Sequence, residues 1–292
     1  MNAVARTLKF IFRHPLARRH PISAFKRFIV WQIRSRISRG PHRVNFIGDT
    51  KLIARRRMVG MTANIYTGLS DFEEMGFLLH FLRSSDTFFD VGANVGVYTI
   101  LASGVCGARS VAFEPIISTH AHLQKNIELN DLGKRITPIR AAAGSHSGEL
   151  CFTQNEDTTN HVVSSESETS VNVPCVRIDE YYFNQPALIK IDVEGFETEV
   201  LNGAGQLLKD NRLKAIIIEL NGSGERYGYD EKVVHEKLIG NGFSPVKYNP
   251  YERSIIPLRG PQPYNTLYLR DIASVRARVE EGPVFTVFRT QI

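Results

Sequence analysis

The fold of this chain is constrained most by one stretch, in which an apolar run ends beside an acid and a glycine turn. Thr87 to Val91 is short and apolar apart from Asp90, and Gly92 and Gly96 follow before apolar spacing resumes. This pattern predicts a strand, a tight turn and a helix, because glycine tolerates a positive φ and lets other groups approach the backbone. Free N–H groups at the start of the helix favour a small-molecule site, although ordinary strand-to-helix turns share the pattern.

The alternation of short apolar runs and helical patterns continues after this turn. Strands are predicted at Thr87–Val91, Ser110–Phe113, Ile136–Arg140, Ala187–Ile191 and Ala215–Leu220, with helices at Val97–Ser103, Ser118–Leu129, Phe196–Lys209 and Glu231–Asn241 between and after them. Short apolar strands alternating with helices indicate an α/β fold with a doubly wound, mostly parallel sheet. Its ligands bind at the carboxyl ends of the strands.

Three further segments complete the predicted domain, residues 58–292. Ser70 and Asp71 supply N-cap side chains for a lead-in helix at Phe72–Leu82. A polar hairpin insertion covers about residues 145–176, with a tip around 155–169 that is either a substrate lid or a plain solvent-exposed loop. Strands at Phe243–Tyr248 and Thr266–Arg270 predict an antiparallel C-terminal hairpin, after which a short charged segment ends the domain.

Positive charge is concentrated at the N-terminus. Residues 1–57 hold 15 Lys and Arg against a single acid, Asp49, whereas the remainder holds 21 basic and 29 acidic residues. A domain that bound nucleic acid would carry basic residues throughout its binding face, so we expect no nucleic-acid substrate. Three widely separated cysteines without C-x-x-C spacing indicate a reducing, cytoplasmic location.

Within residues 1–57, the apolar side chains Ile22, Phe25, Ile29, Ile33 and Ile37 recur at helical spacing. This stripe predicts an amphipathic helix. Two interpretations are open: a helix lying on an anionic membrane or a partner protein, or a helix packed on its own domain with a solvated basic face. No run is long enough to span a membrane. The Arg-rich, acid-poor start also has the composition of a mitochondrial transit peptide, and that alternative stays open.

Glu114 is the next acid at a predicted strand end, 24 residues after Asp90. An acid at this place in a nucleotide-binding fold accepts hydrogen bonds from ribose hydroxyls. The turn lacks the G-x-G-x-x-G pattern of pyrophosphate loops, and Asp90 would repel a pyrophosphate but stabilise an ammonium or sulfonium group. We therefore predict S-adenosylmethionine rather than NAD as the cofactor.

A second acidic block, Asp192-Val193-Glu194-Gly195-Phe196-Glu197, follows the fourth predicted strand. Asp192, Glu194 and Glu197 are the candidate catalytic residues, because a carboxylate can orient an acceptor hydroxyl or remove its proton. Glu197 has an equally plain alternative role in capping the following helix. A less favoured mechanism uses a divalent cation such as magnesium, which hard oxygen ligands from Asp192, Glu219 and Asn221 would hold.

Four blocks together resemble the FkbM family of S-adenosylmethionine-dependent methyltransferases: Asp90-x-Gly92-x-Asn94-x-Gly96-x-Tyr98, Ala112-Phe113-Glu114-Pro115, Asn126-x-x-x-Asn130 and Lys190-Ile191-Asp192-Val193-Glu194-Gly195-x-Glu197. The likeness spans about residues 60–270 and includes Asp71-Phe72-Glu73. It implies a class I, Rossmann-like methyltransferase fold. It also implies a cofactor site formed by Asp90, Gly92, Asn94, Gly96, Tyr98, Glu114, Pro115, Ala142 and Asp192.

Specific roles follow from the resemblance. Gly92 and Gly96 should lie along the methionine and ribose, Glu114 should hold the ribose diol, and Asp192 should lie near the methyl donor, while sheet topology puts Ala142 beside the adenine. Family members imply O-methylation of a hydroxyl on a sugar, a glycan or a glycosylated or polyketide-type metabolite. The alternatives are an NAD-dependent oxidoreductase and a membrane-associated, non-catalytic scaffold that retains the cofactor fold.

Overall fold

The N-terminal layer consists of helices and one short hairpin. The structure, a computed structural model, describes residues 3–38, 40–56, 58–153, 161–163 and 170–292. The layer contains α1 (Ala3–Arg13), α2 (Pro15–Arg19), α3 (Pro21–Ile37), β1 (His42–Asn45), β2 (Lys51–Ala54), α4 (Val59–Thr67) and α5 (Phe72–Phe81). Helices α2 and α3 both begin at a proline, whose fixed φ and missing N–H suit the first turn of a helix.

The main sheet and its covering helices follow. In chain order they are β3 (Thr87–Val91), α6 (Val97–Ile100), β4 (Arg109–Phe113), α7 (Ile117–Leu129), β5 (Ile136–Ile139), β6 (Ala142–Ala143), β7 (Gly148–Thr153), β8 (Ser170–Val176), β9 (Leu188–Ile191), α8 (Glu197–Asn202), α9 (Gly205–Lys209), β10 (Ala215–Leu220), α10 (Glu231–Gly240), β11 (Ser244–Asn249), β12 (Ser254–Pro257), β13 (Tyr264–Leu269), α11 (Ile272–Glu280), β14 (Thr286–Val287) and β15 (Thr290–Gln291).

Eight of these strands form one sheet in the order β12-β11-β13-β10-β9-β3-β4-β5. The run from β10 to β5 is parallel, and β13, β11 and β12 are antiparallel to their neighbours. The strand order reverses between β3 and β9, and the carboxyl ends of strands at such a switch point border the binding crevice of doubly wound folds. The predicted fold class is confirmed.

Both faces of the sheet are covered, as the apolar strands predict. Along β3, Phe88 packs into a core with α5 and α11, whereas its neighbour Phe89 packs into a core with α8, α9 and α10. Alternate side chains of a strand point to opposite faces, so a strand covered on both sides is apolar at nearly every position. Asp90 is the only charged residue on β3, and it lies beside the switch point.

Two predicted helices differ in the structure. The helix from Val97 is α-helical only to Ile100, and a π-turn continues it over Leu101–Val105. The segment Phe196–Lys209 is two helices, α8 and α9, rather than one. The break lies next to Gly203, where an added Cβ would lie 2.0 Å from the carbonyl oxygen of Gly144. The Asp179 carboxylate accepts hydrogen bonds from Gln206 N and Leu207 N and so begins α9 separately.

The C-terminal region contains more structure than the sequence predicts. Strands β11 and β13 form the predicted antiparallel pair, and the loop between them contributes β12, which extends the sheet edge. The charged segment after Arg270 is not an irregular end but the helix α11. Asp271 caps this helix at Ser274 N, and Val275 and Val279 bury its apolar face against α5. The sequence assigned no secondary structure to this charged segment, although an i, i+4 apolar pair suffices to seat a short helix.

The hairpin insertion is present as β7 paired antiparallel to β8, with β6 parallel to β8 on the other side. Val162 bridges to Phe152. The predicted tip, 155–169, lies outside the described residues except for 161–163.

Residues of the basic N-terminal extension pack directly on the domain. On α3 the side chains Phe28 and Trp31 are buried, and the Phe28 ring lies 5.3 Å from that of Tyr66 on α4. The Arg27 guanidinium donates hydrogen bonds of 2.7 and 3.0 Å to the Tyr66 carbonyl and stacks over the Phe288 ring. The division at residue 57 therefore remains a sequence-based proposal, and α3 is attached both to α4 and to the turn between β14 and β15 that contains Phe288.

Candidate active site

Asp90 connects the switch-point strand to the helix that follows it. Its carboxylate is buried, and Oδ2 accepts a 2.6 Å hydrogen bond from the Thr99 hydroxyl on α6. Asp90 is paired in register with Lys190 on β9, so both side chains project from the same face of the sheet. Burial raises the pKa of Asp90, and the Lys190 charge and the Thr99 hydroxyl oppose that rise. Asp90 thus fixes where α6 begins relative to β3.

The glycine turn after β3 has the backbone conformation that its sequence predicts. Gly92 and Gly96 have φ values of +82° and +86°, and Asn94 between them has a φ of +51°. Asparagine is among the few other residues that adopt this left-handed region readily. An added Cβ at Gly92 would lie 1.8 Å from the carbonyl oxygen of Asp192, and one at Gly96 would meet the side chain of Leu123. Because these two glycines have no side chains, the Asp192 carbonyl and the Leu123 side chain can pack against the turn.

Gly92→Ala is expected to lower the free energy of unfolding by about 3 kcal/mol, since the alanine combines an unfavourable φ with a backbone clash. Urea denaturation measures this. Gly133→Ala is the matched control, because a Cβ there meets nothing within 4 Å. Equal stability of the two variants would mean that the loops after β3 and β9 separate without cost.

Glu114 follows β4 and ties two loops together. Its Oε2 accepts a hydrogen bond from Asn94 N at 3.0 Å, and its Oε1 accepts one from Ile116 N at 2.9 Å. Burial raises the pKa of Glu114 to about 7, although the two N–H donors act in the opposite direction. Each carboxylate oxygen retains a lone pair for a further donor.

Asp192 follows β9 on the other side of the switch point and forms an ion pair with Lys190, in which the Lys190 side chain is buried and the Asp192 side chain is 33% exposed. The Lys190 ammonium lies 2.7 Å from Asp192 Oδ2, and Glu219 at the end of β10 hydrogen-bonds to the same carboxylate. Burial acts to raise the pKa of Asp192, but Lys190 outweighs it and holds the pKa below its usual value. Burial, the Asp192 charge and this hydrogen bond raise the pKa of Glu219 to about 9. Glu219 is therefore the protonated partner at neutral pH.

Glu194 completes a group of three carboxyl groups. Oxygen atoms of Asp192, Glu194 and Glu219 all lie within 4.8 Å of one another. Burial, followed by the Asp192 and Glu197 charges, raises the pKa of Glu194 to about 7. Its φ of +55° is unusual for a residue other than glycine, and such conformations cluster at functional sites.

Two residues of the predicted site lie apart from this group. The Glu197 Oε1 atom accepts hydrogen bonds from Val193 N and Gly195 N, at 3.2 and 3.1 Å. Glu197 therefore holds the loop that precedes α8 and does not have the capping role that the sequence left open, since α8 has no side-chain cap. Asn221 lies in an exposed turn, where its Oδ1 accepts a bond from Ser223 N. The carboxyl groups that the structure brings together are thus Asp192, Glu194 and Glu219, with Glu194 in the position expected for Asn221.

Asp71 differs from its prediction as a helix cap. It makes no side-chain cap on α5, and its Oδ2 instead accepts a 2.9 Å hydrogen bond from the Tyr98 hydroxyl. Lys190 Nζ lies 4.9 Å from the centre of the Tyr98 ring, so the phenol joins Asp71 to the Lys190–Asp192 pair. Burial raises the pKa of Asp71. The Asp71-Phe72-Glu73 block of the family resemblance was the available signal for this residue.

A cleft of about 790 Å³ runs along the carboxyl ends of the strands. Eight of the nine predicted cofactor residues line it: Asp90, Gly92, Asn94, Tyr98, Glu114, Pro115, Ala142 and Asp192. Gly96 and Glu197 are not among the described lining residues. The lining also includes Lys190 of the fourth motif block and residues that the motifs do not indicate, namely Arg6, Arg36, Arg56, Asn64 and Phe152.

The strand order, the switch point and the acids around it define a class I methyltransferase fold. A sequence model described as the methyltransferase FkbM domain matches residues 90–245, which is more than half of the chain. The chain belongs to the FkbM methyltransferase family.

Individual relatives within and beyond this family share low sequence identity with the chain. The chain is 28% identical over 165 residues to the hexuronic acid methyltransferase AglP of Haloferax volcanii, an alignment that covers 55% of this chain and 64% of that protein. The chain thus spans less than two thirds of that relative. Among solved structures, it is similar to the methyltransferase FkbM from Methylobacillus flagellatus KT, with 18% identity, a TM-score of 0.44, and coverage of 64% of this chain and 44% of that one. M. jannaschii TYW2 in complex with AdoMet gives 13% identity, a TM-score of 0.42, and coverage of 80% and 88%.

Proposed function

We propose that this protein transfers a methyl group from S-adenosylmethionine to a hydroxyl of a carbohydrate-containing acceptor. One observation carries the proposal: Glu114 and the three carboxyl groups of Asp192, Glu194 and Glu219 line the same cleft on opposite sides of the switch point. The first acid suits a ribose diol, and the acidic group suits an acceptor hydroxyl.

The residues of the cleft fit this cofactor. Glu114 has lone pairs free for the two ribose hydroxyls after its bonds to Asn94 N and Ile116 N. Ala142 lines the part of the cleft next to the loop after β5, where the adenine would lie. The acids near Asp192 would stabilise the positive charges of the methionine end, whereas a pyrophosphate would be repelled.

The three carboxyl groups have different parts in the proposed reaction. S-adenosylmethionine, when bound, supplies an electrophilic methyl group. Glu219 is protonated at neutral pH and Asp192 is held by Lys190, so neither is a ready proton acceptor. Glu194 has a pKa of about 7, close to the value that suits a general base at neutral pH. We infer that Glu194 takes the proton of the acceptor hydroxyl, while Asp192 and Glu219 orient it.

A magnesium mechanism is the less favoured alternative. Asp192, Glu194 and Glu219 are close enough for their oxygens to share a cation. The Lys190 ammonium already neutralises Asp192 at 2.7 Å, and Glu219 has kept its proton, so the charge that would attract a divalent cation is reduced. We propose a reaction without metal.

The acceptor is proposed to be an anionic sugar. Arg6, Arg36 and Arg56 line the cleft, and arginine pairs well with carboxylates. The relative from Haloferax volcanii is named for hexuronic acid, a sugar that carries a carboxylate. The arginines are the favoured anchor for that carboxylate, and a hydroxyl is the favoured methylation site because Glu194 can accept its proton.

The two alternative functions predict different ligand binding and activity. An NAD-dependent oxidoreductase would bind NAD with an affinity similar to that for S-adenosylmethionine, and a non-catalytic scaffold would transfer no methyl group. The acids that line the cleft argue against both functions. They would repel the pyrophosphate of NAD, and a scaffold that transfers no methyl group would not need them.

A labelled-methyl transfer assay tests the proposal. With S-adenosylmethionine carrying the label, we expect transfer to a glucuronide that exceeds transfer to the matched neutral glucoside by about tenfold or more, as loss of one charge-assisted pair predicts. The labelled product should survive mild alkali as an ether, and EDTA should leave the rate unchanged. Absence of transfer to any sugar contradicts the acceptor class, alkali-labile label contradicts the hydroxyl, and EDTA inhibition supports the magnesium alternative.

A further inference from the structure

The helix α3 has two apolar faces, and the described residues of the chain cover only one of them. Its buried side chains, Ala24, Phe28, Trp31 and Ser35, pack on the domain. The apolar stripe that the sequence predicts for this helix points the other way: Ile22, Phe25, Ile29, Ile33 and Ile37 are 84, 41, 38, 54 and 81% exposed. At 100° per residue the two sets lie on opposite sides of the helix.

The exposed stripe, defined by those five residues, continues onto a second helix. The ring of Phe12 on α1 stacks on Phe25 with centroids 6.4 Å apart, and Phe12 is itself 47% exposed. Val30 widens the stripe on its other side. Isolated apolar side chains are normal at a protein surface, but a contiguous apolar patch marks an interaction site.

Basic side chains frame this patch. Lys26 is exposed within the same side of α3, and Lys9 and Arg13 are exposed on α1. Residues 1–57 carry 15 basic residues and one acid, while the rest of the chain has an excess of eight acids. An apolar stripe flanked by lysine and arginine is the pattern of a helix that lies in the interface of an anionic membrane.

We propose that the exposed stripe of α3, together with Phe12, docks the protein on an anionic lipid bilayer, with α3 lying in the plane of the membrane surface. Charge favours this occupant over a second copy of the chain, because a symmetric dimer through the stripe would bring two strongly basic N-terminal regions together. Within the described ranges, no helix is long and apolar enough to cross a membrane, and docking through α3 requires no crossing.

Vesicle co-sedimentation of the full-length protein tests the proposal. We expect pelleting with phosphatidylcholine vesicles that contain phosphatidylglycerol, and about tenfold or more weaker partitioning to phosphatidylcholine alone, since each basic residue near an anionic surface adds attraction. The double variant Ile29→Gln and Ile33→Gln should lose about tenfold or more in partitioning, as it removes two inserting side chains.

The control is the double variant Val233→Gln and Ile239→Gln on α10. These two side chains are exposed by 53 and 44%, close to the values of Ile33 and Ile29, and lie on a helix far along the chain from the basic region. This control should pellet like the wild type. Both double variants should keep the wild-type melting temperature and the wild-type affinity for S-adenosylhomocysteine, which separates lipid docking from the proposed enzymatic function.

Three results would overturn the proposal. They are no pelleting with anionic vesicles, equal pelleting with neutral and anionic vesicles, and equal losses in the α3 and α10 variants. Light scattering of the free protein provides a further check: a dimer that the α3 variant alone dissociates would assign the stripe to a second copy instead.

Discussion

Glu114→Gln is expected to weaken the binding of S-adenosylhomocysteine by about 30-fold or more, measured by calorimetry. The amide cannot accept two charge-assisted hydrogen bonds from ribose hydroxyls, and such bonds contribute about 1.5 to 3 kcal/mol each. Glutamine retains one acceptor oxygen, so the loops that Asn94 N and Ile116 N anchor should stay largely folded. NAD should bind neither protein measurably, because of its pyrophosphate.

The pH dependence of binding gives a second measure of the same residue. Burial raises the pKa of Glu114 to about 7, and only the ionised carboxylate accepts from both hydroxyls. Affinity should therefore rise between pH 6 and pH 8 in the wild type and stay level in Glu114→Gln. Glu128→Gln, an exposed carboxylate on α7, is the matched control and should behave as wild type. Unchanged affinity in Glu114→Gln would move the cofactor away from the β4 end.

The centre of this fold is predictable because its local pattern and its packing agree. The apolar run Thr87–Val91 is covered on both faces, and the positive φ values at Gly92 and Gly96 follow from glycine itself. Placing Asp192 beside Gly92 followed from the strand topology alone, since the carboxyl ends of neighbouring parallel strands meet.

Helix α3 shows what periodicity does not determine. The stripe of Ile22, Phe25 and Ile29 has the spacing of a buried face, yet Phe28 and Trp31 form the buried face. A sequence reveals that apolar residues share a side of a helix, but which side packs depends on the shape of the surface that receives it. Here the larger aromatic side chains reach Tyr66, and the isoleucines remain outside.

The acidic block shows a similar limit. Glu194 and Glu197 are three residues apart and chemically alike, and spacing alone gives neither precedence as a base. The chain after β9 directs Glu197 onto the N–H groups of Val193 and Gly195, which leaves Glu194 to line the cleft. Asp71 shows the same limit. Its position before a helix predicts a cap, but its actual hydrogen-bond partner, Tyr98, lies 27 positions away along the chain and cannot be identified from local sequence.

Glu194→Gln is expected to lower kcat by about 10²- to 10³-fold, since general base catalysis contributes that order and glutamine accepts no proton. The affinity for S-adenosylhomocysteine should change by less than about twofold. Because only the ionised Glu194 is active, wild-type kcat should be lower at pH 6 than at pH 8 and should level off above its pKa of about 7. The residual activity of the variant should lack this rise.

Glu197→Gln separates catalysis from loop structure. It removes a carboxylate that is more deeply buried than that of Glu194 and that accepts hydrogen bonds from Val193 N and Gly195 N, so it should lower the melting temperature while kcat of the folded protein changes far less than in Glu194→Gln. If Glu194→Gln keeps kcat within about threefold of the wild type, Glu194 is not the base. An alkali-labile product would then explain the result directly, because a carboxylate acceptor has no proton to lose. With an alkali-stable product, the reversed pattern, a large loss only in Glu197→Gln, would assign the base to Glu197.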